Sequence, residues 1–282
     1  MTTITHADGR VEKITFSLRP FQNYRTNDGV EVGRYYSSPT AVRMEVNERR
    51  YIYVGECPML ESITLLSEVE DLRIRNCNAL KNVGTITATR SVHIKHCPLL
   101  EHILVYHADD IRVEMCADLR DVNCPENKIL ACLFLTDCPK IKNVRVLADE
   151  LFIRDCAELD VVRARAVKRI DLRGCPMLVD VRELPPSDIP PIQPLRDGAG
   201  IPDSNIAYLR VHNNPKLLRV EGAFIANLQR HKIAVEGSPN IYFLGARDDF
   251  DFVNVNRSYN TLYLKAGIPI ELIRDLQGLF DQ

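Results

Sequence analysis

The 282-residue chain has no tryptophan, so aromatic anchoring falls to its ten tyrosines and nine phenylalanines. It has no excess of charge either. Its 36 Lys and Arg stand against 38 Asp and Glu, and a net charge of −2 removes any bulk argument for nucleic acid or an acidic membrane as partner. Long apolar runs are missing. The longest, residues 129–135, is far short of the roughly 20 residues a membrane-spanning helix needs. The start, Met1-Thr2-Thr3-Ile4, lacks the basic stretch and apolar core of a signal peptide. No Gly-rich phosphate loop, Gly-x-Ser-x-Gly elbow or His-Glu-x-x-His pair occurs. No Cys-x-x-Cys spacing supports zinc. The expectation is a non-enzyme with no cofactor and no metal.

What the chain does have is a repeat. Leu72-x-Ile74-x-x-Cys77-x-x-Leu80-x-x-Val83 returns as Val92, Ile94, Cys97, Leu100 and Ile103, and as Ile111, Val113, Cys116, Leu119 and Val122. Further copies are marked by Cys57, Cys138, Cys156 and Cys175. Two late copies carry Asn214 and Ser238 at that marker position. From Cys57 the marker advances by 20, 20, 19, 22, 18, 19, 39 and 24 residues. A period near 20 residues signals a solenoid. Each copy opens on an alternating apolar triplet, a strand that buries one face. A triplet cannot do so alone, and stacking the copies makes parallel strands around one continuous core.

Val69-x-x-Leu72-x-Ile74-x-x-Cys77-x-x-Leu80 resembles the longer consensus of the leucine-rich repeat family, as do Val167-x-x-Ile170-x-Leu172-x-x-Cys175-x-x-Leu178 and Ile206-x-x-Leu209-x-Val211-x-x-Asn214-x-x-Leu217. The resemblance covers about residues 49–244 and holds in phase through nine copies. The short period is similar to that of bacterial host-targeted repeat proteins, although their Leu-Pro ending occurs here only at Leu184-Pro185. The Cys-Pro-x-Leu wording is similar to repeats of plant immune receptors. The resemblance implies a mainly β or α/β leucine-rich-repeat-like solenoid with a protein-recognition surface. A right-handed parallel β-helix is the alternative scaffold.

Nine cysteines, seven of them in one column, read as reduced core residues rather than a disulfide framework. That places the chain in a cytoplasmic or other reducing intracellular compartment, including delivery into a host cell. Cys116-Ala117-Asp118 has the Cys-x-Asp shape of a family of effector ubiquitin ligases, but Cys116 sits at the marker and reads as core. Cys124 and Cys132 lie off the register, with Cys124 the better candidate for an exposed thiol.

Three regions follow. Residues 1–48 read as a β-rich N-terminal cap, with a hairpin about Asp28-Gly29, a strand at Val42-x-Met44-x-Val46, and a degenerate first turn at Ser38-Pro39. Residues 49–244 are the solenoid. Six prolines in 185–205 make a loop rather than a strand, and residues 223–231 suit two helical turns on the back. Residues 245–282 form a C-terminal cap. There Leu272, Ile273, Leu276, Leu279 and Phe280 share one face of an amphipathic helix that lids the core. Elsewhere the back face is expected to be extended, because a 20-residue turn leaves little chain for a helix.

The candidate site is the outward face of the first strand. Residues beside the second apolar position point away from the core. They are Arg73 and Arg75, His93 and Lys95, Arg112 and Glu114, Phe134 and Thr136, Phe152 and Arg154, Asp171 and Arg173, and Arg210 and His212. Basic residues around paired aromatics suit an acidic or phosphorylated protein partner. Nucleic acid is the weaker reading, because acids at Glu70-Asp71, Asp109-Asp110 and Asp149-Glu150 flank the strands. A structural or assembly role, or a carbohydrate-active enzyme on a β-helix, are the rival functions.

Overall fold

The computed structural model describes residues 2–14, 24–26, 29–31, 34–47, 49, 51–124, 130–182, 208–221, 233–236, 242–244 and 262–264. It is a β-solenoid of about seven turns, with stacked parallel strands and no helix among the described residues. The expected helix at 223–231, the Pro-rich loop at 185–205 and the C-terminal lid at 269–280 all lie outside them.

Two parallel sheets run the length of the stack. The front sheet pairs Tyr51–Gly55 with Val69–Arg75, then with the end of Ile86–Lys95, then with Asp110–Glu114 and Leu130–Thr136. It continues through residues 150–154 and 169–173 to Tyr208–His212 and Ile233–Glu236. The back sheet stacks Ala41–Val46, Ser62–Leu65, Asn82–Val83, His102–Tyr106 and Asp121–Asn123, and reaches Leu262–Leu264. The back face is thus extended, as the short period requires.

Register follows the alternation. Leu72 and Ile74 pair with Val92 and Ile94, and these with Ile111 and Val113; all are buried. The marker cysteines are sealed at 0% exposure, and all nine cysteines of the chain are free thiols. Burial pushes the Cys116 thiol up to about 12 and the Cys138 thiol up to about 11.

The corner after each front strand explains the marker. The preceding residue has a positive φ of 52–61° at Glu56, Asn76, His96, Met115, Asp137, Asp155, Gly174 and Asn213. This left-handed kink turns its N–H toward the next turn, where it donates to a backbone carbonyl at 2.9–3.2 Å from Glu56 through Gly174. Only one of these eight is glycine, and there a side chain would collide with Asp155 Oδ1. The next residue is the marker. Its carbonyl accepts the N–H three residues on, at 3.0–3.3 Å, closing the Cys-x-x-Leu turn. Each marker thiol donates to the carbonyl two residues back, at 3.3–3.6 Å.

At the N-terminal end, Arg34–Tyr36 pairs with Tyr51–Gly55 in the same parallel register. Ser38 occupies the marker position, and its N–H donates to Cys57 Sγ at 3.3 Å. Tyr24–Thr26 and Gly29–Glu31 make the hairpin read at Asp28-Gly29. One strand was not foreseen. Thr2–His6 lies antiparallel against Ala41–Val46, with Val11–Ile14 beyond it. It is tied down by Thr2 Oγ1 and Tyr36 Oη at 2.8 Å and by His6 Nδ1 and Thr40 Oγ1 at 3.0 Å.

Candidate binding face

Parallel in-register pairing brings the expected side chains into two adjacent columns. One runs Arg73, His93, Arg112, Phe134, Phe152, Asp171, Arg210. The other runs Arg75, Lys95, Glu114, Thr136, Arg154, Arg173, His212. With strands about 4.8 Å apart, six steps span about 29 Å.

The columns are a lattice of opposite charges rather than a bare basic stripe. Lys95 Nζ lies 2.5 Å from Glu114 Oε2, and His93 Nε2 lies 3.2 Å from Oε1 of the same carboxylate. Burial pulls His93 below the usual histidine range, against the opposing pull of Glu114, so the neutral ring is favoured. For Glu114, burial pushes upward but the Lys95 hydrogen bond and charge outweigh it, and the carboxyl ends below its ordinary value. Arg112 Nε donates to Asp110 Oδ2 at 3.1 Å.

Asp171 departs most from the outward reading. It stands in an outward column yet is 0% exposed. Arginines cover it: Arg173 donates to both its oxygens at 2.6 Å, Arg154 Nη2 reaches Oδ2 at 3.4 Å, and Arg169 Nη2 lies at 3.7 Å. Burial alone would raise this carboxyl, but the Arg173 hydrogen bonds and three cationic neighbours hold it below the ordinary carboxylate range. Two of these arginines also cover the rings. Phe134 and Phe152 sit 6.0 Å apart at 43°. The Arg154 guanidinium lies 5.5 Å and 5.9 Å from the two centroids, and that of Arg169 lies 4.8 Å from Phe152. The result is a fixed Phe–Arg cluster carrying three arginines on one carboxylate.

A third outward column was missed. Tyr51, Asp71, Ser91, Asp110, Cys132, Glu150 and Arg169 pair across turns, because the front strands extend one alternation further back than the apolar triplet. Ser91 Oγ donates to the buried Asp71, and Arg90 Nη1 donates to Tyr51 Oη at 3.1 Å. A cavity of about 380 Å³ opens here among Arg73, Arg90, His93 and Arg112, with Asp71 and Asp110 in its wall. Tyr35 and Tyr53 stack at 4.7 Å and 21° in the column ahead of Arg73. Their period-two placement was the available signal.

Cys116 of the Cys-x-Asp triplet is buried, and Asp118 is held by Lys140 Nζ at 2.6 Å. Cys124 and Cys132 are half-buried. Burial pushes Cys124 up to about 12 and Cys132 up to about 11. Among the described residues no three of His, Cys, Asp and Glu converge as metal ligands, and no helix is long and apolar enough to cross a membrane. The chain matches no protein-family model, and no curated protein or solved structure is significantly similar to it.

Proposed function

We propose that this solenoid is a non-catalytic module that binds an acidic or phosphorylated protein partner through its front sheet. The observation that carries the reading is the Phe134–Phe152 pair flanked by Arg154, Arg169 and Arg173 around Asp171. Three guanidinium groups gather on one buried carboxylate beside two rings. The buried carboxylate holds those groups in place before a partner arrives, which lowers the ordering cost of binding. Rings of this kind supply affinity, and surrounding charges supply association rate.

We read the scaffold as leucine-rich-repeat-like on the phase of its consensus. The second parallel sheet along the back favours the parallel β-helix as the rival scaffold. The carboxylates of Asp71, Asp110, Glu114 and Asp171 are all engaged by cations, which supports binding over glycoside chemistry. The sealed cysteines support residence in a reducing compartment, and a host-directed effector is one form such a binder takes.

The test uses arrays of acidic peptides, with and without phosphate. Arg73→Glu with Arg75→Glu should slow association and flatten its salt dependence. Phe134→Ala with Phe152→Ala should speed dissociation. Arg145→Glu with Arg163→Glu, exposed on the back sheet, should change neither. Binding lost only in the back-sheet pair would move the site off the front face, and the 185–205 segment would become the leading candidate.

A further inference from the structure

Two outward columns differ in charge over the same three turns. Asp71, Ser91 and Asp110 stack in register in one, and Arg73, His93 and Arg112 stack beside them in the other. Two residues of extended chain, about 7 Å, separate the columns. Both line the cavity of about 380 Å³, and Arg90 and Asp109 complete its wall. These last two are braced together, with Asp109 N–H donating to Arg90 O at 2.9 Å.

The wall is held in place by its own contacts. Asp71 accepts from Ser91 Oγ and lies 3.7 Å from Arg90 Nη1, which donates to Tyr51 Oη at 3.1 Å. Arg112 gives its Nε–H to Asp110 at 3.1 Å, which leaves the two Nη groups of that exposed guanidinium for a ligand. His93 Nε2 lies 3.2 Å from Glu114 Oε1. A carboxylate only accepts, so the neutral ring keeps its proton on Nε2 and its lone pair on Nδ1. Three aspartates against three arginines sum to zero. A ligand of one sign would meet as many like charges as opposite ones. An uncharged ligand would strip water from ionised groups without returning a charge to any of them. A ligand that carries both signs a few ångströms apart matches the wall.

We propose that this cavity binds the zwitterionic head of a free α-amino acid. The carboxylate is taken by Arg73 and Arg112, and the ammonium by Asp109, Asp110 and the lone pair of His93. Both ends then make charge-assisted hydrogen bonds, roughly twice as strong as neutral ones. The volume falls in the range of small-ligand clefts. Aromatic rings stand one strand beyond each end of the basic column, Tyr53 beside Arg73 and Phe134 beside Arg112. An apolar side chain therefore has a surface to lie on. This site goes beyond the peptide-binding reading and does not depend on it.

The experiment titrates L-phenylalanine and L-leucine into the full chain by calorimetry, with no peptide present. At least one should bind one to one. Its N-acetyl derivative lacks the ammonium and its amide lacks the carboxylate, and each should bind about tenfold more weakly or worse. Asp110→Asn and Arg112→Met should each weaken binding of the parent amino acid by about tenfold. Circular dichroism melts confirm that each variant is folded. No binding of either amino acid, equal affinity for a blocked derivative, or unchanged affinity in both folded variants overturns the proposal. Equal binding of inorganic phosphate or of glucose also overturns it, because the cavity would then be a plain anion or polyol site. The peptide arrays report separately, so failure here leaves the front-sheet reading standing, and the reverse.

Discussion

The seven cysteine-marked turns and the turn marked by Asn214 solve one problem in two ways. In each, the corner leaves a carbonyl two residues back facing the core, and the marker must answer it without reaching solvent. A cysteine donates a weak S–H contact of 3.3–3.6 Å to that carbonyl, and its sulfur can accept a backbone N–H from the marker position before it, as Cys57 Sγ does from Ser38 N–H at 3.3 Å. Asn214 does more. Its Nδ2 donates to Leu172 O at 3.0 Å and to His212 O at 3.1 Å, and its Oδ1 accepts the Cys175 N–H at 2.9 Å. It is 0% exposed. The stronger device sits where the marker spacing doubles to 39 residues, between two turns whose front strands pair directly. Cysteine suffices where the turns follow directly; the amide stitches two turns that sequence separates.

Replacing Asn214 by Leu should break this comparison hardest. The shape is kept, but a buried N–H and two carbonyls lose their partner, for a loss of about 3 kcal/mol in urea unfolding. A loss below about 1 kcal/mol would mean that packing alone holds that turn. Cys97→Ala should cost about 2 kcal/mol, mostly as a sealed void. If Asn214→Cys costs nothing, the two markers are not ranked as argued here. Asn214→Cys, which makes the odd turn like the rest, should cost about 1 kcal/mol. The smallest effect belongs to the outward column. The Asp171 carboxyl is held below its unfolded value, so its contribution is full above the unfolded value and is lost as pH falls through the folded one. Its arginine partners are about a third exposed, so the amount is about 1 kcal/mol. Unfolding free energy measured below about pH 4 should fall less steeply in Asp171→Asn than in the parent. Equal slopes would assign the acid sensitivity elsewhere.

Much of the scaffold was legible because it depends on period alone. Alternation put Leu72 and Ile74 inside and Arg73 and Arg75 outside, and the cysteine column announced its own burial. The columns of the candidate face followed from the same register. What was not legible depends on side chains of other turns. Nothing in Ile170-Asp171-Leu172 says that Asp171 is buried, because the burial comes from Arg154 one turn earlier and from Arg169 and Arg173 on its own strand. The left-handed corner is hidden for a different reason. Its occupants are Glu, Asn, His, Met and Asp, and only Gly174 carries the usual signal. Thr2–His6 was missed because Thr2-Thr3-Ile4-Thr5-His6 is too polar to show an apolar alternation.

That same strand bears on how the molecule behaves in a crowd. A stack of identical parallel turns is a one-dimensional crystal, and its open end is a template on which another copy could continue to grow. The N-terminal end of the back sheet does not offer that template. Thr2–His6 reverses the strand direction, and Val11–Ile14 then presents an antiparallel rim carrying exposed Glu12 and Lys13. A charged, reversed rim matches neither the polarity nor the register of an incoming turn. Thr2–His6 therefore covers the back-sheet end against the addition of a further parallel strand. Removing Thr2–His6 should increase self-association, read as a larger sedimentation coefficient at raised protein concentration.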